Sequence, residues 1–311
     1  MNFNRTKVVA CFCLVWAIHL LSVACTSKLK SDHNELNSNS YNNELQEQLQ
    51  DQVSLEKLNI AVIPHLSSSE QAKKIQLLED YLEKDLSLPV NIQLTQNYQK
   101  SVDLLVEGKV EMAYLGAVTY IQARERNPQL EAILAPIDKT TGRPWYTSVI
   151  VANTEKEIET SNDLINKRFS FVNQASTSGY LIPTMHLKEQ GINPEQDFIS
   201  VQYAGSHDKN LAALQSGIVD AIAIDKKTYL RQQKSGKIDT TKYQIIWESE
   251  PIPSTPLVIS SQLPPVLISA IKKALIKAPE GLVSLDGSES IGYTLVQDED
   301  YELIRRMLKS L

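Results

Sequence analysis

Short apolar runs alternate with helix-like segments from about residue 58 onward, and this alternation restricts the possible fold most strongly. The first run, residues 58–63, has the length and composition of a buried strand. In the segment after it, Ile75, Leu78 and Leu82 fall on one face at helical spacing. Strands and helices in alternation predict an α/β fold in which helices cover both faces of parallel sheets.

Further strands are predicted wherever a short apolar run is bounded by turn residues. They cover residues 90–94, 112–115, 148–152, 168–172, 198–203, 221–224, 243–247 and 257–260. Helices are predicted over residues 69–86, 102–108, 179–190, 209–215, 265–278 and 301–311.

The strand order indicates two α/β lobes joined by a two-stranded hinge. We expect the chain to cross between the lobes near residues 142–147 and again near 250–256. One lobe then consists of residues 58–144 plus 255–311, and the other of residues 145–254. The cleft between two such lobes is a usual place for a small ligand.

The N-terminal segment predicts export. Arg5 and Lys7 precede an apolar run over residues 8–24, so residues 1–24 are typical of a secretory signal peptide. The run ends in Leu-Ser-Val-Ala directly before Cys25, an ending that resembles the lipobox of bacterial lipoproteins, where the cysteine is lipidated. The alternative is an uncleaved signal anchor with an incidental cysteine.

Residues 25–57 are polar and contain few large apolar side chains, which predicts a disordered tether. Cys11 and Cys13 lie within the signal peptide, so Cys25 would be the one cysteine of the mature chain. This excludes an internal disulfide and a metal site built on cysteine. We therefore expect a lipid-anchored protein at the cell envelope, in the periplasm or on the outer face of the plasma membrane.

The net charge of the chain restricts the classes of partner that it can bind. The chain has 31 Lys and Arg residues against 37 Asp and Glu residues, a formal net charge of −6, and no basic stripe. Nucleic acid is therefore not an expected partner. If the ligand is an anion, its attraction must come from local groups rather than from the whole surface. No cofactor or metal is expected, and we expect a monomer.

The segment most informative about function is Ser176-Thr177-Ser178-Gly179, between a predicted strand and a predicted helix. Hydroxyls and backbone N–H groups at a helix N-terminus donate toward one point, and the helix dipole adds partial positive charge there. The glycine would let the backbone approach a ligand closely. A plain helix cap is the alternative. Pro183 indicates a loosened first turn, because it removes a helical hydrogen bond.

This block, Ser-Thr-Ser-Gly-Tyr-Leu-Ile-Pro at residues 176–183, resembles the signature of the phosphonate-binding (PhnD-like) periplasmic proteins. These are the solute-binding proteins of ABC importers for phosphonate, phosphite or phosphate. Similar blocks follow the family's order at residues 97–98, 111–116, 146–151, 203–208 and 251–253. The resemblance implies a type II periplasmic binding protein fold that closes on a phosphorus oxyanion, delivers it to an ABC permease and is not an enzyme.

The resemblance also implies a set of ligand-binding groups. They are the hydroxyls of Ser176, Thr177, Ser178, Tyr98 and Tyr114 and an imidazole N–H of His207. The residues alone leave other interpretations open. Tyr114 could be core packing, Tyr98 the surface cover of a loop, and His207 a helix cap. His65, at the end of a predicted strand, is a second candidate histidine.

The chain departs from the family pattern where aminoalkyl phosphonates would be bound. Family members that hold an amine place carboxylates there, whereas Ser254-Thr255-Pro256 offers no acid and Lys227 would repel an ammonium group. Asp225 is the nearest replacement, and it could accept a hydrogen bond from a protonated ligand oxygen or cap a helix. We therefore expect phosphite, phosphate or a small alkyl phosphonate.

Two other functions use the same residues. Ser178, His207 and Asp225 are the residue types of a hydrolase triad, but the chain has no Gly-x-Ser-x-Gly motif and no His-Glu-x-x-His motif. A ligand sensor for a signalling partner would need the same two lobes and the same tether as a transport protein.

Overall fold

The computed structural model describes residues 55–66, 68–280, 282, 285 and 290–311. The predicted signal peptide, Cys25 and most of the predicted tether lie outside the described residues. None of the helices in the described part combines the length and the apolarity that a membrane span requires.

The strands of the described chain are β1 (Leu58–Val62), β2 (Val90–Leu94), β3 (Met112–Tyr114), β4 (Leu130–Asp138), β5 (Trp145–Tyr146), β6 (Ser148–Asn153), β7 (Arg168–Phe171), β8 (Ser200–Tyr203), β9 (Ala221–Asp225), β10 (Tyr243–Glu248), β11 (Ile252–Pro253), β12 (Leu257–Ser260) and β13 (Ser290–Leu295). The α-helices are α1 (Ser68–Leu86), α2 (Tyr98–Val106), α3 (Ala117–Arg126), α4 (Ile182–Glu189), α5 (Pro194–Asp197), α6 (His207–Gln215), α7 (Lys226–Lys234), α8 (Pro265–Ile276) and α9 (Glu302–Ser310). A π-helical turn, Thr177–Leu181, leads directly into α4.

Two sheets organise the chain into two lobes. The six-stranded lobe has the strand order β13-β4-β12-β3-β1-β2, and the five-stranded lobe has the order β10-β6-β9-β7-β8. The central strands β6 and β9 are buried along their whole length, because helices cover both faces of their sheet. Each sheet is therefore the middle layer of its lobe.

The sheets are mixed rather than purely parallel, which corrects the sequence expectation. Parallel pairing is found within β1, β2 and β3 and within β7, β8 and β9. Strands β6 and β12 pair antiparallel to their neighbours. Each of them follows a crossing segment, so it enters its sheet from the opposite end.

The crossing segments pair with each other. Strands β5 and β11 form a separate two-stranded antiparallel sheet in which Tyr146 is opposite Ile252 and Trp145 is opposite Pro253. Both strands have only two residues, so few backbone hydrogen bonds restrain this connection. Short paired connections of this kind suit a hinge.

A buried glutamine fixes the loop that follows β1. Gln71 on α1 is fully buried and accepts from the backbone N–H groups of His65 and Leu66 at 3.2 and 3.3 Å. Its amide nitrogen donates to the carbonyls of Ile63 and Leu285 at 3.1 and 3.0 Å. One side chain therefore satisfies four buried backbone groups and sets the position of His65.

Replacing this side chain should destabilise the protein. We expect Gln71→Ala to lower the free energy of unfolding by about 1–3 kcal/mol, because buried backbone groups lose their partners. Urea titration measures the change. The matched control is Gln76→Ala on the same helix, where the side chain is exposed and bonds only Asp80. It should shift stability by less than about 0.5 kcal/mol, and equal losses in the two variants would contradict the assignment.

Candidate functional site

A small pocket lies between the lobes, where the segments that follow β1, β3, β7 and β9 meet. Ligands in α/β proteins usually bind at this carboxyl edge of the strands. We call it the cleft pocket. Its lining residues are Ile63, His65, Tyr98, Gly116, Tyr146, Ser176, Thr177, Ser178, His207, Asp225, Lys227 and Thr255.

The hydroxyl segment forms one wall of the cleft pocket. Ser176, Thr177 and Ser178 are all buried at the start of the π-helical turn. The Ser176 hydroxyl accepts from the backbone N–H of Gly179 at 3.1 Å, which caps the turn. Thr177 Oγ1 accepts from the backbone N–H of Val118 at 3.1 Å. Because Val118 belongs to the six-stranded lobe, this bond joins the two lobes across the cleft.

Packing explains the glycine in this segment. A Cβ atom on Gly179 would lie 2.4 Å from Cγ2 of Val172 and 2.9 Å from the Ser176 hydroxyl oxygen. The Gly179 carbonyl also accepts from the Val172 backbone N–H at 3.0 Å. The glycine therefore lets the turn press against the end of β7, whereas the sequence interpretation had assigned it to the approach of a ligand.

Pro183 explains the wide turn, as the sequence suggested. The backbone N–H of Ile182 donates to the Thr177 carbonyl, five residues earlier. Continuing that pattern, residue 183 would bond the Ser178 carbonyl, but proline has no N–H to donate. The Ser148 hydroxyl on β6 donates to that carbonyl instead, at 2.6 Å.

Four α-helices begin at the cleft pocket. Tyr98 and His207 are the first residues of α2 and α6, and Gly116 and Asp225 are the N-caps of α3 and α7. Each helix N-terminus carries partial positive charge from its unpaired backbone N–H groups. Four such ends at one small space favour an anion there.

Asp225 is the centre of a buried cluster. Its carboxylate accepts from the backbone N–H of Thr228 at 2.7 Å and from the Thr228 hydroxyl at 2.9 Å, which confirms that it caps α7. Oδ2 lies 2.7 Å from His207 Nδ1 and 3.2 Å from His65 Nε2. The two imidazole rings stack with their centroids 4.4 Å apart. The cluster spans the cleft, since His65 comes from the six-stranded lobe.

The charge states in this cluster follow from burial and from neighbouring groups. Burial alone would raise the pKa of Asp225, but the imidazoles of His207 and His65 hold it well below its usual value. Burial lowers the pKa of His207, and the Asp225 carboxylate opposes this only in part. His207 Nδ1 also lies 3.1 Å from the Asp225 backbone N–H. It can therefore donate to the carboxylate when protonated and accept from the amide when not.

The same three side chains have the composition of a metal site. One ligand atom each from His65, His207 and Asp225 lies within 4.8 Å of the others. In the described structure His207 Nδ1 and His65 Nε2 lie within 3.2 Å of the Asp225 carboxylate, although His65 Nε2 makes no hydrogen bond of normal geometry, and Thr228 donates one hydrogen bond to each carboxylate oxygen. Hydrogen bonds and ion pairing thus account for the arrangement of the cluster.

Tyr98 supplies a hydroxyl that is not otherwise used. It is buried at the start of α2, so it is not the surface cover of a loop. Among the described residues, no hydrogen bond of normal geometry reaches this hydroxyl. Burial raises the pKa of Tyr98, and the neighbouring Ser176 hydroxyl opposes this only in part. The phenol therefore stays protonated and can donate.

The structure brings six of the seven predicted ligand-binding residues to the cleft pocket and adds His65. Tyr114 is the one that does not line it. Its side chain is fully buried in the core of the six-stranded lobe, and its hydroxyl donates to Thr255 Oγ1 at 3.1 Å. His207 is not a helix cap, since the Ser206 hydroxyl caps α6.

Five lining residues were not assigned to the pocket from the sequence, namely Ile63, Gly116, Tyr146, Lys227 and Thr255. Gly116 brings the start of α3, and Thr255 stands between Tyr114 and the pocket. Tyr146 contributes an aromatic wall from the hinge strand β5. Lys227 had been noted only as unsuitable for an amine, yet it lines the pocket with its ammonium 4.9 Å from the Tyr146 ring centroid.

The family model for the periplasmic substrate-binding protein of ABC phosphonate transporters matches residues 60–301, most of the chain. The chain belongs to this family. Its members act outside the cytoplasm as binding components of importers rather than as enzymes, so an extracytoplasmic location follows.

Individual relatives and structures agree with the family. The chain is 27% identical over 272 residues to the phosphate-import protein PhnD of Mycolicibacterium smegmatis, covering 81% of this chain and 85% of that protein. It is 27% identical over 198 residues to the probable ABC transporter phosphite binding protein PhnD1 of Prochlorococcus marinus, covering 61% of this chain and 65% of that protein. The crystal structure of PhnD1 from Prochlorococcus marinus in complex with methylphosphonate superimposes with a TM-score of 0.73 at 20% identity, covering 82% of this chain and 98% of that chain. The expected periplasmic binding protein fold is confirmed.

The buried histidine of this family member predicts how stability depends on pH. The folded chain resists protonating His207, whereas the unfolded chain takes up that proton near pH 6.5. Acid therefore favours unfolding, and stability should fall as the pH drops from about 7.5 to 5.5. Asp225 adds nothing in this window, because its unfolded pKa is about 3.9.

His186 should also make the folded chain less stable at low pH, because burial lowers the pKa of His186 as well. Urea titrations across the pH window should therefore compare His186→Gln with the His186→Gln/His207→Gln double variant. Removing His207 should reduce the slope of unfolding free energy against pH, which has an upper limit of about 1.4 kcal/mol per pH unit for one proton. Identical slopes would show that His207 protonates equally well in the folded chain.

Proposed function

We propose that this protein captures a small phosphorus oxyanion in the cleft pocket and delivers it to the permease of an ABC importer. The ligand is phosphite, phosphate or a small alkyl phosphonate. One observation carries the proposal: the N-termini of four α-helices and a run of three buried hydroxyl residues converge on the cleft pocket. A tetrahedral oxyanion needs several short-range donors from different directions, and this arrangement provides them.

The hydroxyl protons that can still be donated to a ligand support this assignment. The Ser176 and Thr177 oxygens each accept from a backbone N–H, so their own hydroxyl protons remain to be donated. The Tyr98 hydroxyl is buried and would find in a ligand oxygen the partner that the described residues do not provide. A buried donor without a partner costs about 1–3 kcal/mol. Ligand binding would remove this cost.

Asp225 acts through the imidazoles in this proposal. Its two oxygens already face Thr228, His207 and His65, which leaves little acceptor capacity for a ligand proton. The carboxylate instead orients both rings. His207 would then face the oxyanion as a neutral ring that donates an N–H, and Lys227 would carry the positive charge. This replaces the direct contact between Asp225 and a protonated ligand that the sequence suggested.

Tyr114 has a similar indirect part. Its hydroxyl donates to Thr255 Oγ1, and Thr255 lines the cleft pocket. We therefore assign the ligand contact to Thr255 and a positioning role to Tyr114. The Thr255 hydroxyl accepts a hydrogen bond from Tyr114 and can donate one to the ligand.

The size of the cleft pocket favours a compact ligand. Its volume is about 20 Å³, and a cavity of roughly 10–15 Å³ holds one water molecule. A tetrahedral oxyanion needs more room than one water molecule, so we infer that the lobes separate to admit it. We place the hinge at β5 and β11 and assign residues 58–144 plus 255–311 to one lobe and residues 145–254 to the other. The ligand would favour the closed form because it contacts both lobes.

The relatives agree with a phosphorus oxyanion. Their names describe a phosphate-import protein and a phosphite binding protein, and the similar crystal structure holds methylphosphonate. We further propose that the chain is monomeric, performs no catalysis and is attached to the membrane through lipidated Cys25, with residues 26–57 as the tether.

Ligand affinities test the pocket assignment. Ser176→Ala and Tyr98→Phe should each weaken binding of phosphite, phosphate or methylphosphonate by about 1–3 kcal/mol, because each removes a buried donor. Isothermal titration calorimetry measures the change, with sulfate as a second tetrahedral anion. The matched controls are Ser200→Ala and Tyr180→Phe, whose side chains do not line the cleft pocket. Unchanged affinities in both pocket variants would refute the site.

Cellular fractionation tests the anchor. The wild-type chain should be found in the membrane fraction and should incorporate a labelled fatty acid. Cys25→Ser removes the thiol that would be acylated, so the variant should lose the label and the membrane association. Retention of both by the variant would show that another feature attaches the chain.

A further inference from the structure

His65 reaches from one lobe onto two side chains of the other lobe. It follows β1 in the six-stranded lobe and lines the cleft pocket. Its imidazole stacks on the His207 ring with the centroids 4.4 Å apart, and its Nε2 lies 3.2 Å from Asp225 Oδ2. Both partners belong to the five-stranded lobe. The His65 ring is therefore a part of the pocket wall that is completed only where the two lobes meet.

Contacts at both ends of the residue hold the His65 ring in this position. The backbone N–H of His65 donates to the buried side chain of Gln71 at 3.2 Å, which fixes the backbone from which the ring extends. The ring itself is restricted by the stack on His207, and the residue is only 7% exposed. In close-packed surroundings a ring held in this way has little room to move aside. His65 is therefore a rigid part of the pocket wall.

The groups around the cleft pocket restrict how an oxyanion can be oriented there. Its negatively charged oxygens would turn toward the hydroxyls of Ser176, Thr177 and Tyr98, because charged acceptors give buried donors their strongest hydrogen bonds. The Asp225 carboxylate repels oxygens of the same charge. The fourth substituent of the phosphorus atom, which carries the least negative charge, would consequently turn toward Asp225. The His65 ring lies at that carboxylate and would contact the substituent.

We propose that His65 is a specificity-determining residue, which admits phosphite and phosphate and disfavours phosphonates in proportion to the length of their carbon substituent. The inference rests on the proposed function and narrows its ligand class to the inorganic phosphorus oxyanions. The cleft pocket has a volume of about 20 Å³, so a hydrogen or an oxygen in the fourth position requires the least rearrangement. Each added carbon would press against a ring that cannot retreat.

The wild-type protein gives the first test. Isothermal titration calorimetry should show affinity falling from the tighter-binding inorganic ion, phosphite or phosphate, to methylphosphonate and then to ethylphosphonate. Ethylphosphonate should bind at least about tenfold more weakly than that inorganic ion, the size expected when an extra methylene group is forced into a filled site. This measurement needs no variant, so it tests the proposal even if a substitution of His65 prevents folding.

The second test removes the ring. His65→Ala leaves the hydroxyl donors in place and makes room for the carbon chain. It should lower the ratio of the ethylphosphonate dissociation constant to that of the inorganic ion by roughly tenfold. Both ligands can lose affinity because the variant lacks a contact between the lobes. The ratio is therefore the readout, since a merely structural role of His65 would weaken both ligands equally.

Two further variants serve as controls. His65→Gln replaces the ring with a side chain of similar volume that can still donate to Asp225, so the ratio should stay within about threefold of the wild-type value. His186→Ala removes a half-buried histidine that does not line the cleft pocket, and it should leave the ratio unchanged.

The outcomes separate the two proposals. If phosphite, phosphate and methylphosphonate all fail to bind the wild-type protein, the proposed function fails, and the role of His65 fails with it. If at least one of them binds and either phosphonate binds no more weakly than the better of phosphite and phosphate, only the role of His65 is overturned. That role is also overturned if His65→Ala leaves the ratio unchanged, or if His65→Gln lowers it as much as His65→Ala does.

Discussion

Four helix N-termini that face one small space are the constraint on which the rest of this structure depends. Their backbone N–H groups concentrate partial positive charge where the lobes meet, and that charge needs a negative counterpart. Asp225 neutralises one of the four ends by capping α7. In the proposed function a ligand oxyanion is the counterpart for the others. This explains how a chain with a net charge of −6 can belong to a family that binds anions, since the attraction is local.

The Asp225 cluster joins this charge arrangement to the closure of the lobes. His207 and Asp225 come from the five-stranded lobe and His65 from the six-stranded lobe, and the Val118 to Thr177 bond crosses the cleft nearby. Opening the lobes would separate His65 from the carboxylate and expose both to water. The cluster therefore favours closure and orients the imidazoles with the same contacts. Gln71 stabilises the Asp225 cluster indirectly, because it fixes the loop that carries His65.

Much of this could be predicted from the sequence, and the failures have physical reasons. The Ser176 block was found because several donors precede a helix, a signal that does not depend on tertiary packing. Strands β4 and β13 were missed because Pro136 and Gly292 interrupt patterns that would otherwise indicate strands. Tyr114 was placed in the pocket because the family resemblance implied it, and the sequence could not test this, since all residues of β3 are apolar or aromatic and buried. Alternation cannot show which face of such a strand is toward the ligand.

The cleft pocket combines a small volume with several buried hydroxyl and imidazole groups. In the proposed function, the cost of leaving any donor of this small pocket unpaired falls on every ligand that lacks an oxyanion. Tyr146 lines the cleft pocket and pairs with Ile252 across the crossing strands. A substituent that displaces this ring would act directly on the hinge, and the size of the ligand would then influence how far the lobes can close.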